Sequence, residues 1–184
     1  MKIFLTGATG YIGKQLAFRL VNSGYTVHAL VREPGKAGNL AHPNLKLFKG
    51  DVNDCDSIRK AIDGCERVFH VAAFARLWAR PSDLFFKVNV DGTRNILEAA
   101  ADKNISRFVY TSSTAVFGNS FNEPLSENDP RTIGFNSDYD LSKCMAERLV
   151  LDYARKGLCA LIVNPSRVYG PGNESFSNPF SRLL

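Results

Sequence analysis

Six short apolar runs, rich in β-branched residues, recur along the 184-residue sequence and alternate with segments of helical periodicity. Most of these runs are continuous rather than strictly alternating, which is typical of strands buried on both faces of a parallel sheet. The runs are KIFLTG (2–7), TVHALV (26–31), LKLFKG (45–50), RVFHVAA (67–73), RFVYTSS (107–113) and CALIVNPS (159–166). This alternation predicts an α/β fold built on a doubly wound parallel sheet.

Three of the intervening segments carry apolar residues at helical spacing. The first helix is predicted to end at Gly24 and the last at Gly157, because glycine commonly follows the end of a helix. The marking residues are Ile12, Leu16 and Leu20 for the first helix, Phe85, Val88, Ile96 and Ala99 for a long helix around 83–102, and Leu141, Met145 and Leu149 for the third.

The composition argues against several classes of protein. Hydrophobic residues make up 45% of the chain and charged residues 22%, as in an ordinary soluble globular domain. No apolar run approaches membrane-spanning or signal-peptide length, and the net charge of +5 is spread out, without the basic cluster that nucleic-acid binding needs. The four cysteines form no C-x-x-C pair and no zinc spacing. We therefore expect free thiols, no metal and a cytoplasmic location.

The stretch TGATGYIG (6–13) follows the first strand and opens the first helix. Gly7 allows a tight turn, Gly10 allows close approach of the backbone to a ligand, and Gly13 allows the helix to pack on the strand. Together they direct the free N–H groups and the positive dipole end of the helix towards a pyrophosphate. The motif predicts a dinucleotide site, and a purely structural glycine-rich turn is the alternative.

The second strand ends in VRE (31–33), where folds that prefer NAD usually place an acidic residue for the ribose 2′-hydroxyl. This sequence has Arg32 at that point, 19 residues past Gly13, with Lys36 just beyond it. A guanidinium suits a 2′-phosphate, so we expect NADP as the cofactor. The adjacent Glu33 keeps NAD open, and a solvated charged loop is the alternative to a binding role.

The stretch YDLSK places Tyr139 four residues before Lys143, so that both residues share one face of a helix. Ser113 lies at the carboxyl end of the fifth strand, where ligands of open α/β sheets bind. A free phenol exchanges protons poorly at neutral pH, and a nearby lysine cation is expected to lower its pKa. Ser113 could hydrogen-bond a substrate oxygen on which charge develops.

At this point the sequence resembles the extended short-chain dehydrogenase/reductases, which include the NAD-dependent epimerase/dehydratase family. The resemblance covers nearly the whole chain, in the expected order. Its motifs are T-G-x-x-G-x-x-G (6–13), GDV (50–52), HVAA (70–73), VNVDGTRNILEAA (88–100), TSSTAVFG (111–118), the Tyr-x-x-x-Lys pair (139–143) and NPSRVYGPG (164–172). Within the family, HVAAFARLWAR (70–80) is similar to the dihydroflavonol-reductase-like branch and to hopanoid-associated sugar epimerases.

The resemblance implies that Ser113, Tyr139 and Lys143 form the catalytic set, with Ser112 as the alternative serine. Tyr139 would be the acid/base, and Lys143 would also bind the nicotinamide ribose. Gly7, Gly10, Gly13 and Arg32 are already assigned to the dinucleotide. The resemblance adds Tyr11 and Ile12 at the pyrophosphate, Asp51 and Val52 at the adenine, Ala72, Ala73 and Pro165 along the cofactor, Asn89 in ordering the site, and Ser166 and Arg167 at the substrate. His70 is expected to be a packed strand residue and not a base.

The expected activity is an NADP(H)-dependent oxidoreductase that reduces a ketone or aldehyde. The alternatives are a nucleotide-sugar epimerase or dehydratase with bound NAD, and a non-catalytic dinucleotide sensor. Family members are longer, so we expect residues 1–165 to be the Rossmann domain and residues 166–184 to begin a truncated substrate region, inactive alone. The expected partners are a small-molecule carbonyl or sugar substrate and a second copy in a homodimer, with no nucleic acid and no membrane.

Overall fold

A computed structural model describes residues 1–170 except 39, 77, 121 and 122. Six strands form one sheet in the order β3-β2-β1-β4-β5-β6, and every adjacent pair is parallel. The strands are β1 (Lys2–Thr6), β2 (Thr26–Val31), β3 (Leu45–Lys49), β4 (Arg67–His70), β5 (Arg107–Thr111) and β6 (Ala160–Val163). The predicted doubly wound parallel sheet is confirmed.

Five of the six strands begin where the sequence predicts and β6 begins one residue later, but most of the strands end earlier than predicted. The largest differences are at β4, which ends at His70 and not at residue 73, and at β6, which ends at Val163 and not at residue 166. In both places the backbone leaves the ladder at the carboxyl edge of the sheet. Apolar pattern alone cannot detect this departure, because the first two residues after each strand (Val71 and Ala72, Asn164 and Pro165) remain partly buried.

Among the described residues, five α-helices connect the strands. They are α1 (Tyr11–Asn22), α2 (Cys55–Ile62), α3 (Asp83–Phe86), α4 (Gly92–Asp102) and α5 (Asp138–Arg155). The long helix predicted around 83–102 is present but is interrupted by a π-helical segment, Lys87–Asp91. Helix α2 was not predicted, and its N-cap is Asp54, whose side chain accepts hydrogen bonds from the backbone N–H groups of Asp56 and Ser57.

The core consists of two buried clusters. One contains residues from α2, α4 and α5, including Ile58, Ile96 and Val150, and the other contains residues from α1, including Ala17 and Val21. This arrangement holds the carboxyl ends of all six strands at one edge of a rigid layer. No helix in the described part of the chain is long and apolar enough to cross a membrane.

The buried face of α5 differs from the predicted one. The apolar spacing predicts a face through Leu141, Met145 and Leu149, yet Met145 is 39% exposed. The fully buried residues are Ser142, Lys143, Ala146 and Val150. The helix is therefore rotated by about one residue from the predicted orientation, roughly 100°, and this rotation directs Lys143 into the protein interior.

Candidate dinucleotide and catalytic site

A cavity of about 510 Å³ opens at the carboxyl edge of the sheet, where ligands of open α/β sheets bind. Among the sequence-predicted site residues, Asn89 alone does not line this cavity. The predicted residues on its wall are Gly7, Gly10, Tyr11, Ile12, Gly13, Arg32, Asp51, Val52, Ala72, Ala73, Ser112, Ser113, Tyr139, Lys143, Pro165, Ser166 and Arg167. The fold therefore brings residues from both halves of the chain to one wall.

The glycine turn after β1 is too tight for side chains. Gly7 has φ +77°, and a Cβ there would lie 2.6 Å from the backbone nitrogen of Ala72. A Cβ at Gly13 would lie 2.0 Å from the carbonyl oxygen of Gly7. Helix α1 starts directly behind this turn, and no side chain caps its first N–H groups. No side chain among the described residues satisfies these donors at the cavity wall, as an anion site requires.

The ends of β2 and β3 form the next part of the wall. Arg32 is exposed at the rim of the cavity, directly after β2. Asp51 lies in the loop after β3, where its carboxylate accepts hydrogen bonds from the backbone and side-chain nitrogens of Asn53, at 2.9 and 3.1 Å. Val52 packs so closely on α4 that a Cβ at Gly92 would lie 2.6 Å from its methyl carbon. The loop is thus anchored on both sides of the predicted adenine position.

Tyr139 lies in the first turn of α5 and hydrogen-bonds to Ser113. The Ser113 Oγ also accepts a hydrogen bond from the backbone N–H of Ala115 at 3.2 Å. Burial raises the pKa of the Tyr139 phenol, and the hydrogen bond with Ser113 opposes that rise. The expectation that Lys143 lowers this pKa is wrong, because burial dominates and the lysine ammonium donates instead to acceptors on β5.

Lys143 is fully buried, and its ammonium contacts two acceptors on β5. The Nζ atom donates to the Tyr110 hydroxyl at 2.7 Å and to the Thr111 carbonyl oxygen at 2.8 Å. Burial lowers the pKa of Lys143 to about 7, and the Glu147 carboxylate opposes the fall. Since an ammonium has three N–H groups, one remains for a ligand in the cavity that Lys143 lines.

Asn89, on the π-helical segment, ties the loop after β4 to α5. Its Oδ1 accepts from the Phe74 N–H at 2.7 Å, and its Nδ2 donates to the Phe74 carbonyl at 3.3 Å and to the Ser142 Oγ at 2.9 Å. Ser142 in turn donates to the Tyr139 carbonyl at 2.8 Å. The sequence reasoning missed Ser142; the available signal was a small polar residue between Tyr139 and Lys143.

His70 is a packed residue, as expected. It is completely buried in β4 and does not line the cavity. Its Nδ1 lies 2.6 Å from the Thr6 Oγ1 and its Nε2 lies 3.0 Å from the Thr93 Oγ1. Burial lowers its pKa to about 3, with a further contribution from Lys143, so the ring is neutral at physiological pH.

Three features of the described residues test whether a dinucleotide fits this wall. The glycine turn admits backbone-to-ligand contact, and the Lys143 ammonium has one uncommitted N–H. The Ser112 Oγ is the one buried side-chain polar atom, within the described part of the chain, that lacks a hydrogen-bond partner. A ligand with phosphate and hydroxyl groups would satisfy these donors, so the residues fit a nicotinamide dinucleotide.

The residues after β6 complete the wall. The backbone N–H of Thr114 donates to the Pro165 carbonyl at 3.1 Å, which holds this segment against the end of β5. The Asn164 Nδ2 bridges the Ser113 carbonyl at 3.3 Å and the Glu147 carboxylate at 2.9 Å. Ser166 and Arg167 follow on the cavity wall, and residues 171–184 of the predicted substrate region lie outside the described residues.

Comparison with known proteins gives the same family from sequence and from structure. The profile of the NAD dependent epimerase/dehydratase family matches residues 3–183. A Synechocystis protein named provisionally as a dihydroflavonol 4-reductase is 38% identical, over 91% of this chain and 49% of its own length. The 3 beta-hydroxysteroid dehydrogenase/Delta 5-->4-isomerase of Mycobacterium tuberculosis is 35% identical, over 100% of this chain and 51% of its own length.

The solved structure of UDP-glucuronic acid 4-epimerase from Bacillus cereus, in complex with NAD, superposes with a TM-score of 0.86 at 27% identity. The superposition covers 100% of this chain and 61% of the epimerase. The chain therefore spans about half the length of the curated relatives it matches. On the match along residues 3–183, the chain belongs to the NAD-dependent epimerase/dehydratase family of extended short-chain dehydrogenase/reductases.

Proposed function

We propose that this protein is an NAD(P)-dependent oxidoreductase that transfers hydride to or from a carbonyl or alcohol carbon, with Tyr139 as the acid/base. The observation that carries the proposal is the convergence of Ser113, Tyr139 and Lys143 on the wall that also holds the glycine turn. Any one of these features alone would be weak evidence. Together they bring a proton donor and a dinucleotide site to one cavity.

The bound nicotinamide would supply the hydride donor or acceptor. Tyr139 keeps its proton at neutral pH because burial raises its pKa, so the phenol is in the form that donates to a carbonyl oxygen. Ser113, hydrogen-bonded to the phenol, can hold the same oxygen as negative charge develops on it. The Lys143 ammonium, with a pKa of about 7, can exchange a proton near neutral pH. These protonation states favour the reductive direction.

The test of this chemistry is Tyr139→Phe in the complete gene product, which keeps the ring and removes the proton donor. Turnover should fall by about 10²–10⁴-fold, while the affinity for dinucleotide stays at the wild-type value. NADPH oxidation with a panel of ketones and aldehydes measures turnover, and calorimetry measures binding. Tyr153→Phe, on the outer part of α5, is the matched control. Wild-type turnover in Tyr139→Phe would rule out the mechanism.

For the cofactor we propose NADP in preference to NAD. The support is Arg32, a guanidinium at the exposed rim of the cavity directly after β2. NADPH should bind more tightly than NADH by about 1–3 kcal/mol, the range for a charge-assisted contact. Arg32→Asp should reverse the order in calorimetry, whereas Arg67→Asp, at the amino end of β4, should not. Equal affinities that Arg32→Asp leaves unchanged would remove this residue from the site.

A second candidate is a nucleotide-sugar epimerase or dehydratase that holds NAD tightly and returns the hydride. The observation in its favour is the superposition on the NAD complex of UDP-glucuronic acid 4-epimerase over the whole of this chain. Analysis of nucleotides released from the purified complete gene product separates the two candidates. Stoichiometric bound NAD would favour the epimerase, and exchangeable NADPH would favour the reductase.

A further inference from the structure

Tyr110 is a fully buried tyrosine of β5 that does not line the cavity. Its hydroxyl oxygen accepts from the Lys143 Nζ at 2.7 Å, and that Nζ lies 4.3 Å from the centre of the Tyr110 ring. The Thr93 side chain on α4 also interacts with this hydroxyl. Tyr110 thus contacts the candidate catalytic lysine on the side of Lys143 that faces away from the cavity.

The direction of each hydrogen bond behind Tyr110 follows from the donors available. Thr6 Oγ1 accepts from the backbone N–H groups of Val71 and Ala72, at 3.2 and 3.1 Å, so its own proton goes to the His70 Nδ1. The His70 Nε2 must then carry the ring proton and donate to Thr93.

Thr93 has no proton left for Tyr110. Its hydroxyl donates to the Asn89 carbonyl at 2.6 Å, so its oxygen can only accept from the side chains beside it. Of these two hydroxyls only that of Tyr110 has a proton to offer the other, so its proton can point towards Thr93 while its oxygen accepts from Lys143. The burial of Tyr110, which raises the pKa of its phenol, keeps that proton in place.

We propose that Tyr110 is the positioning residue for Lys143, fixing the ammonium so that its uncommitted N–H faces the dinucleotide. This inference rests on the proposed function and on the nicotinamide-ribose contact that the family resemblance implies for Lys143. The Tyr110 hydroxyl and the Thr111 carbonyl are two fixed acceptors, and they take two of the three N–H groups of the Lys143 ammonium. The third N–H is therefore the one left to face the cavity. Behind Tyr110, the hydrogen bonds between Thr93 and His70 and between His70 and Thr6 extend this network to Thr6, which directly precedes the glycine turn.

The test is Tyr110→Phe in the 184-residue chain. The titratable or charged groups around the Lys143 ammonium are His70 on β4, Tyr110 on β5, and Tyr139 and Glu147 on α5. Tyr110→Phe removes one acceptor and leaves these charges unchanged. Without that acceptor the charged lysine is less stable, so its titration should move to lower pH by about one unit. NMR of ¹³Cε-labelled lysine, with Lys143→Met to assign the signal, measures this.

Calorimetry with NADPH and NADH on the same variants gives a second readout, and the affinity should fall by about tenfold. Tyr153→Phe makes the same chemical change on α5 and should leave the Lys143 titration and the affinity at wild-type values. A wild-type titration and affinity in Tyr110→Phe, with affinity lost in Lys143→Met, would overturn the positioning role alone. Unchanged affinity in Lys143→Met would overturn the cofactor-binding role of Lys143 as well, whereas the Tyr139→Phe experiment tests the proposed function separately.

Thr93 offers a route that leaves the buried ring intact if Tyr110→Phe does not fold. Thr93→Val removes the acceptor that holds the Tyr110 proton, whereas Thr93→Ser keeps it. The valine variant should shift the Lys143 titration, and the serine variant should retain the wild-type value. The same titration in both variants would overturn the inference.

Discussion

The difference in unfolding free energy between the wild type and the Lys143→Met variant should depend on pH. As the pH rises from neutral to alkaline, the wild type should become more stable relative to the variant. The Lys143 ammonium is buried in the folded protein, and its pKa falls to about 7 from 10.5. Between those values the unfolded chain binds a proton at this residue and the folded chain does not. The stability of the wild type must therefore rise with pH across this window. The methionine variant lacks this dependence.

The size of the effect follows from the two pKa values. From pH 7 to pH 9 the free energy of unfolding of the wild type should increase by about 2 kcal/mol relative to that of Lys143→Met. Below pH 7 the difference between the two free energies should be nearly constant. Other buried groups titrate in alkali; burial raises the pKa of Cys65 to about 11, for example. Such groups are present in both proteins, so the difference between the two proteins isolates the lysine.

Urea denaturation of both proteins at pH 5, 7, 8 and 9 measures this difference, provided that the unfolding free energy of both proteins falls with urea concentration at the same slope (the m-value). Lys60→Met, at an exposed position of α2, is the matched control, and its difference from the wild type should not depend on pH. A constant difference between wild type and Lys143→Met from pH 7 to pH 9 would refute the reasoning. It would mean that the lysine keeps its ordinary pKa and is not buried as an ammonium.

Two further perturbations test the turn and the histidine. Gly13→Ala should cost about 1–3 kcal/mol of stability and weaken dinucleotide binding, because its Cβ meets the Gly7 carbonyl; Gly35→Ala, with open space around it, should do neither in the same calorimetry and urea experiments. His70 is buried with a pKa of about 3, so the unfolded chain gains a proton first as pH falls. This protonation should lower the free energy of unfolding of the wild type by about 2 kcal/mol from pH 6.5 to pH 5. His70→Gln should remove this loss, and an unchanged acid profile would contradict it.

The sheet and the glycine turn could be predicted because their signals are local. A buried parallel strand is an apolar run, and the turn needs glycine at fixed positions for steric reasons that hold in any protein with this geometry. The backbone atoms that a Cβ would meet at Gly7 and Gly13 show that the steric reason holds here. Tyr139, Lys143 and Ser113 were also identifiable, since each has a distinctive side chain at a distinctive place along the chain.

The environment of those side chains could not be predicted, because it depends on how α5 is rotated against β5. Apolar spacing placed Met145 on the buried face, but the helix instead buries Ser142 and Lys143. A face of this kind is polar, so hydrophobic periodicity cannot detect it. The predicted effect of Lys143 on the Tyr139 phenol failed for the same reason, since the acceptors that hold the ammonium belong to β5.

The distribution of satisfied and unsatisfied groups argues that this polar interior is arranged around a ligand. Burying His70, Thr93 and Lys143 costs desolvation, and most of that cost is offset because each has hydrogen-bond partners in the described structure. The exceptions are the Ser112 hydroxyl and the third N–H of Lys143, and both residues line the cavity. A network serving stability alone would have no reason to leave its unpaired donors on that wall. A ligand with oxygen acceptors at this wall would recover their desolvation cost on binding, which favours the bound state over the free protein.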